Sequence, residues 1–136
     1  MNTTYFKNLI MGNVFATDTS TSLPSNYYIG LSSTAPSEDG LNVTEPSFSG
    51  TGYARVRLSS LTTPNAGVIT NNSQIQFPES TANWFSASNP AIYYVIFDSA
   101  TGGNLLMYEQ LTTSRIIEIN TIATIKANSL YLQLTD

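Results

Sequence analysis

The chain is patterned in short runs where apolar and polar positions alternate or where apolar residues cluster. The densest series begins at Ala91: AIYYVIFD, NLLMYEQL, RIIEI, TIATI and SLYLQL, separated by SATGG, TTS and other small polar residues. Runs of this length, rich in β-branched and aromatic residues and bounded by Gly, Ser, Thr and Asn, predict strands. Upstream, Tyr27–Ser33, Tyr53–Ser60, Val68–Thr70 and Gln74–Phe77 read the same way. In Tyr53–Ser60 the period of two sets Tyr53, Arg55 and Arg57 on one face and Ala54, Val56 and Leu58 on the other. Gly30, inside the first run, marks a bulge or a close backbone approach. Leu130, Leu132 and Leu134 predict a last inward-facing row.

The turns order these strands. Ile92–Asp98 and Asn104–Leu111 flank Gly102-Gly103, whose freedom to adopt positive φ predicts an antiparallel hairpin. Val68–Thr70 and Gln74–Phe77 around Asn71-Asn72-Ser73 predict a second, shorter one. Near the start, Thr3 or Thr4 can cap a short helix with Tyr5, Phe6, Leu9, Ile10, Asn13 and Val14 on one face. Asp18–Asn26 is a polar connector. Thr34–Gly52 and Pro78–Pro90 are irregular, and the second carries the single Trp, Trp84. The expected fold is all-β: an antiparallel β-sandwich or jelly-roll of about eight to nine strands with a short N-terminal helix. Residues 1–26 form a helix or turn and connector, and residues 27–136 the sandwich domain.

Composition narrows the chemistry. The chain has no His and no Cys, which removes the commonest general base, thiolate chemistry and the usual transition-metal ligands. No cofactor or metal is expected. Five basic residues against nine acidic ones, a net charge of −4, cannot build a phosphate-tracking patch, so nucleic acid is a poor partner. Thr, Ser and Asn supply 48 residues, a neutral hydroxyl-rich complement suited to close packing of many copies. No secretory signal and no apolar run of about 18 residues is evident, so no membrane partner is expected.

Scarce charges single out candidates. Glu45 and Arg55 are read as a structural ion pair tying the long loop to a strand, since both types are rarely buried unless paired. Glu38, Asp39 and Glu45 do not match a calcium-loop spacing. Asp98 and Glu109 could face each other as a glycosidase carboxylate pair, but Asp98 precedes Ser-Ala-Thr-Gly-Gly, where Asp commonly caps a turn. No catalytic residue is assigned, and an enzyme is not expected. Tyr28, Tyr53, Trp84, Tyr93 and Tyr108 are candidate interface or ligand contacts, because aromatics are enriched at such surfaces.

The order of Tyr-Ile-Gly-Leu-Ser-Ser-Thr-Ala-Pro (28–36), Thr-Glu-Pro (44–46), Gly-Tyr-Ala-Arg-Val (52–56), Gln-Phe-Pro (76–78), Trp84 and Phe-Asp-Ser-Ala-Thr-Gly-Gly-Asn-Leu-Leu (97–106) resembles the small virion proteins of tailed bacteriophages called tail fibre or head fibre proteins. The resemblance implies a non-enzymatic structural component at the tail, neck or capsid. Such a protein is made in the host bacterial cytoplasm and works by self-association and docking on other virion proteins. Virion symmetry implies a homo-oligomer, with a trimer as the first expectation. The alternative is a carbohydrate- or receptor-binding module whose partner is a host-surface glycan.

Overall fold

The first element follows from its cap. Thr3 is extended, and its hydroxyl accepts the Phe6 amide at 3.2 Å, starting helix α1 (Thr4–Val14). Leu9 is buried and Phe6 and Ile10 half-buried, while Tyr5 and Val14 of the expected apolar face remain exposed. The computed structural model describes residues 1–18 and 20–134. Thr19 of the connector and residues 135–136 of the expected β domain lie outside the described residues.

Eight strands follow among the described residues: β1 (Tyr28–Ser32), β2 (Val56–Arg57), β3 (Val68–Thr70), β4 (Ile75–Gln76), β5 (Ala91–Phe97), β6 (Leu105–Arg115), β7 (Thr124–Ile125) and β8 (Tyr131–Gln133). All pairings are antiparallel. They form a four-stranded sheet in the order β2-β1-β5-β6 and two ribbons, β3-β8 and β4-β7.

The hairpin expected around Gly102-Gly103 is present as β5-β6, with both glycines at positive φ. The hairpin expected around Asn71-Asn72-Ser73 is not. β3 pairs with β8 and β4 with β7. The cause is Asn71, whose fully buried side chain is a hub for distant backbone. Its Nδ2 donates to the carbonyls of Ser73 and Lys126 at 3.0 and 2.8 Å, and its Oδ1 accepts the Ser129 and Leu130 amides at 3.1 and 2.9 Å. These bonds draw residues 126–130 between the two strands that were expected to pair.

Two further expectations change. Arg115–Ile119 is not a separate strand: β6 runs on to Arg115, and Ile117 makes one isolated bridge to Phe85. Gln110 faces Tyr93 and Arg115 faces Ala91, so Leu111–Ser114 bulge away from β5. In the final row, Leu130 is buried and Leu132 half-buried, but Leu134 is exposed.

The central strands bury both faces. On one, Ile29 and Leu31 of β1 with Tyr94 and Ile96 of β5 pack against Ile75, Phe77 and Leu130 from the ribbon side. On the other, Val95, Phe97, Leu105 and Tyr108 pack together under Met1 and Val43. Each fully buried side chain of this kind contributes about 1.5–3 kcal/mol. The outer edge of β6 is covered by the N-terminal residues: Thr3 N donates to Leu106 O at 2.9 Å and Tyr108 N to Met1 O at 3.0 Å. Covering an edge this way removes a template for unwanted strand addition.

Candidate functional site

The most elaborate side-chain arrangement lies beside the part of β1 that β2 does not pair, where the long loop returns to the sheet. Arg55 and Glu45 meet there side-on: Nε donates to Oε2 at 3.0 Å and Nη2 to Oε1 at 2.7 Å. Their side chains are 4 % and 8 % exposed. Two parallel charge-assisted bonds fix orientation as well as distance. Nη1 donates to the carbonyls of Ser99 and Gly102 at 2.9 and 2.8 Å, in the β5-β6 turn. The guanidinium carbon stands 3.5 Å from the centroid of the Phe97 ring and 5.3 Å from that of Phe48, so the cation is also held by aromatic faces.

Tyr53 completes the arrangement. Its hydroxyl donates to Glu45 Oε2 at 2.6 Å and accepts the Leu31 amide at 3.0 Å. β2 pairs with β1 only at Tyr28 and Ile29, so the phenol serves a backbone donor that the short strand does not reach. Burial first, then the neighbouring Glu45 carboxylate, pushes the Tyr53 hydroxyl well above its ordinary range. It therefore stays protonated and able to donate. Gly30 makes this possible. A Cβ there would stand 2.5 Å from Glu45 Oε2 and 2.6 Å from the Tyr53 hydroxyl. Of the two readings of that glycine, close approach is the one observed, and side chains do the approaching.

Trp84 ties in the second irregular segment. Its ring meets Tyr53 edge-on, with centroids 5.2 Å apart and planes at 89°. Its Nε1 donates to Thr51 O at 2.7 Å, and its amide to Ile117 O at 2.8 Å. Glu45, Tyr53, Arg55 and Trp84 thus clamp the Thr34–Gly52 loop to the sheet, to the hairpin turn and to the 78–90 segment. Both carboxylate oxygens of Glu45 already accept hydrogen bonds, which suits a fastener and not a proton carrier.

The aromatic candidates separate. Tyr53, Trp84 and Tyr108 are 3 %, 7 % and 6 % exposed, largely covered within the single chain. Tyr53 and Trp84 pack edge-on against each other in the larger core cluster, and Tyr108 packs with Val95, Phe97 and Leu105. Tyr28, opposite Phe97, and Tyr93, whose ring lies 6.1 Å from that of Tyr108, are half-buried. Sequence reasoning missed Phe97 and Phe48 against the cation and the Ser99 and Gly102 carbonyls; the Gly at position 30 was the one local signal of crowding.

Asp98 and Glu109 do not converge. Asp98 caps the hairpin turn, accepting the Asn104 amide at 2.7 Å and its side chain at 3.0 Å. Glu109 stands opposite Tyr94 and takes the Met1 ammonium at 2.8 Å. Asp39 accepts from the Ser37 hydroxyl and from the Leu41 amide; these bonds, the hydroxyl first, lower its pKa. Among the described residues no three acidic side chains are grouped to hold a metal ion, and no helix is long and apolar enough to cross a membrane.

A strand-rich protein whose most buried charges fasten its own loops is built as a structural part. The sequence model of the family described as podophage GP4 fiber I protein gp80 matches residues 1–133, and the chain belongs to that family. It is a fibre-type structural component of a phage virion. No curated protein matches the chain.

Proposed function

We propose that this protein has no catalytic role and acts by self-association and by docking on other virion proteins. The observation that carries this reading is the set of large apolar side chains left uncovered in a single chain. Ile116, Ile119, Ile122 and Tyr131 are about half exposed, as is Met11, and Val14 and Phe15 at the end of α1 are more exposed still. Ile116 and Tyr131 also line a groove of ≈ 720 Å³ with Leu111, Phe77 and Leu130. Apolar side chains exposed around a groove mark interaction sites in soluble proteins, and five basic and nine acidic residues leave little repulsion between copies. On this reading the four-stranded sheet and the ribbons act as the two layers of a β-sandwich over residues 27–136. Residues 1–26 then serve as an arm carrying part of the contact surface.

A trimer is the first stoichiometry to test. Light scattering on purified protein, joined to subunit counting in the particle, is the experiment. Ile119→Asp and Met11→Asp should each shift the population towards monomer. A strict monomer in solution that is also a single asymmetric copy per virion overturns the proposal. Host-surface glycan is the second candidate partner, favoured by a polar groove beside Trp84.

A further inference from the structure

The two irregular segments meet. Ser33, Thr34, Thr44 and Pro46 on one side and Asn83, Phe85, Ser86 and Asn89 on the other enclose a groove of ≈ 450 Å³, with Trp84 and Glu45 in its walls. We infer that this groove is a binding site for an uncharged hexose unit of a glycan. The inference rests on the glycan reading above and is independent of self-association.

Four observations carry it. First, the lining is hydroxyl and amide with aromatic carbon behind it, which is the chemistry that recognises a sugar's hydroxyls and its C–H faces. Second, its one acid, Glu45, is fully committed to Arg55 and Tyr53, so the groove presents no free charge to either sign of ligand. Third, polar groups remain available: among the described residues the Ser33 hydroxyl, the Asn83 Nδ2 and the Asn89 side chain carry no intramolecular hydrogen bond. The Thr34 hydroxyl gives its proton to Asn42 O and stands 2.9 Å from the Thr44 hydroxyl. Fourth, the walls are held before any ligand arrives. Thr34 Oγ1 is fixed to Asn42 O at 2.5 Å, Asn83 Oδ1 holds the Ile119 amide at 2.9 Å, and the Glu45–Arg55–Tyr53–Trp84 clamp sets the spacing between the segments. Preorganised polar walls lower the ordering cost that makes sugar binding weak. Long irregular segments fastened this firmly are characteristic of binding loops.

The test is a titration of isotope-labelled full-length protein with glucose, galactose, mannose, rhamnose, N-acetylglucosamine and glucuronic acid, followed by amide chemical shifts. At least one neutral sugar should give saturable shifts concentrated at Ser33, Thr34, Thr44 and Asn89, and glucuronic acid should bind no tighter than glucose. Asn89→Trp should fill the groove and abolish those shifts, with the remaining spectrum and the light-scattering mass unchanged. Asn89→Ala should weaken binding by about fivefold, the worth of one neutral hydrogen bond. Absence of saturable shifts with every neutral sugar, shifts that persist in Asn89→Trp, or a preference for the acid overturns the inference. None of these results touches self-association, which the mass measurement reports separately.

Discussion

Gly30 and Glu45 share one space: a methyl group on Gly30 would sit 2.5 Å from the Glu45 Oε2 atom that accepts from both Tyr53 and Arg55. The glycine is therefore part of the ion-pair site even though it contributes no functional group. Three segments far apart in sequence depend on its missing side chain.

Gly30→Ala should destabilise the protein by about 2–3 kcal/mol, as overpacking of a filled site does. Urea unfolding measures it. An unchanged midpoint with a normal slope would show that Glu45 and Tyr53 relax without cost.

Removing one member of the buried pair should cost more than removing both. Arg55→Ala or Glu45→Ala alone leaves an uncompensated buried charge, at about 3–5 kcal/mol. The double variant should lose clearly less than the sum. Arg55→Lys should behave as a damaging change, since an ammonium cannot reproduce the side-on carboxylate contact, the two turn carbonyls and the stacking on Phe97. A double-mutant cycle that closes to zero would mean the two residues act independently.

Asn71→Ala should cost about 1–3 kcal/mol, because it strands the buried Leu130 amide and leaves the Ser129 amide and the Lys126 carbonyl with only each other. Loss of the β3-β8 and β4-β7 ribbons ahead of the four-stranded sheet, followed by hydrogen exchange, is the expected sequence of events.

Alkali should weaken the fold. Tyr53 and Tyr94 both have raised pKa values, through burial first and then through Glu45 and Glu109 respectively. For a group raised in the folded state, the contribution is fully present below its unfolded pKa, about 10 for Tyr, and is lost as pH climbs above that value. The melting temperature should hold level from about pH 7 to 9 and fall beyond about pH 10. In Tyr53→Phe the fall should be shallower from a lower starting point. A flat profile to pH 11 would remove the linkage argument.

What the sequence discloses depends on whether the signal is local. The β5-β6 hairpin is written in adjacent residues, two apolar runs and a glycine pair, and the Thr3 cap likewise. The Asn71 hub is not, because three of its four partners lie 55 or more residues away and an Asn-Asn-Ser run looks like an ordinary turn. Scarcity of charge singles out Glu45 and Arg55, but nothing local announces Phe97 beneath the guanidinium. Aromatic enrichment at contact surfaces makes Tyr53, Trp84 and Tyr108 candidates, and at Tyr53 and Tyr108 alternation sorts side chains into two faces without saying that both are covered. That ambiguity is inherent to strands packed on each side, such as β1 and β5.

The position of Arg55 has a mechanical consequence. A virion part is pulled and sheared, and force entering through the Thr34–Gly52 loop reaches Glu45. From there it crosses two parallel hydrogen bonds to the guanidinium and passes to the carbonyls of Ser99 and Gly102, at the tip of the longest hairpin. The load bypasses the backbone between Glu45 and Tyr53. Paired bonds of this kind share tension and give way together, so the loop should resist steady pulling like a riveted plate and then release abruptly.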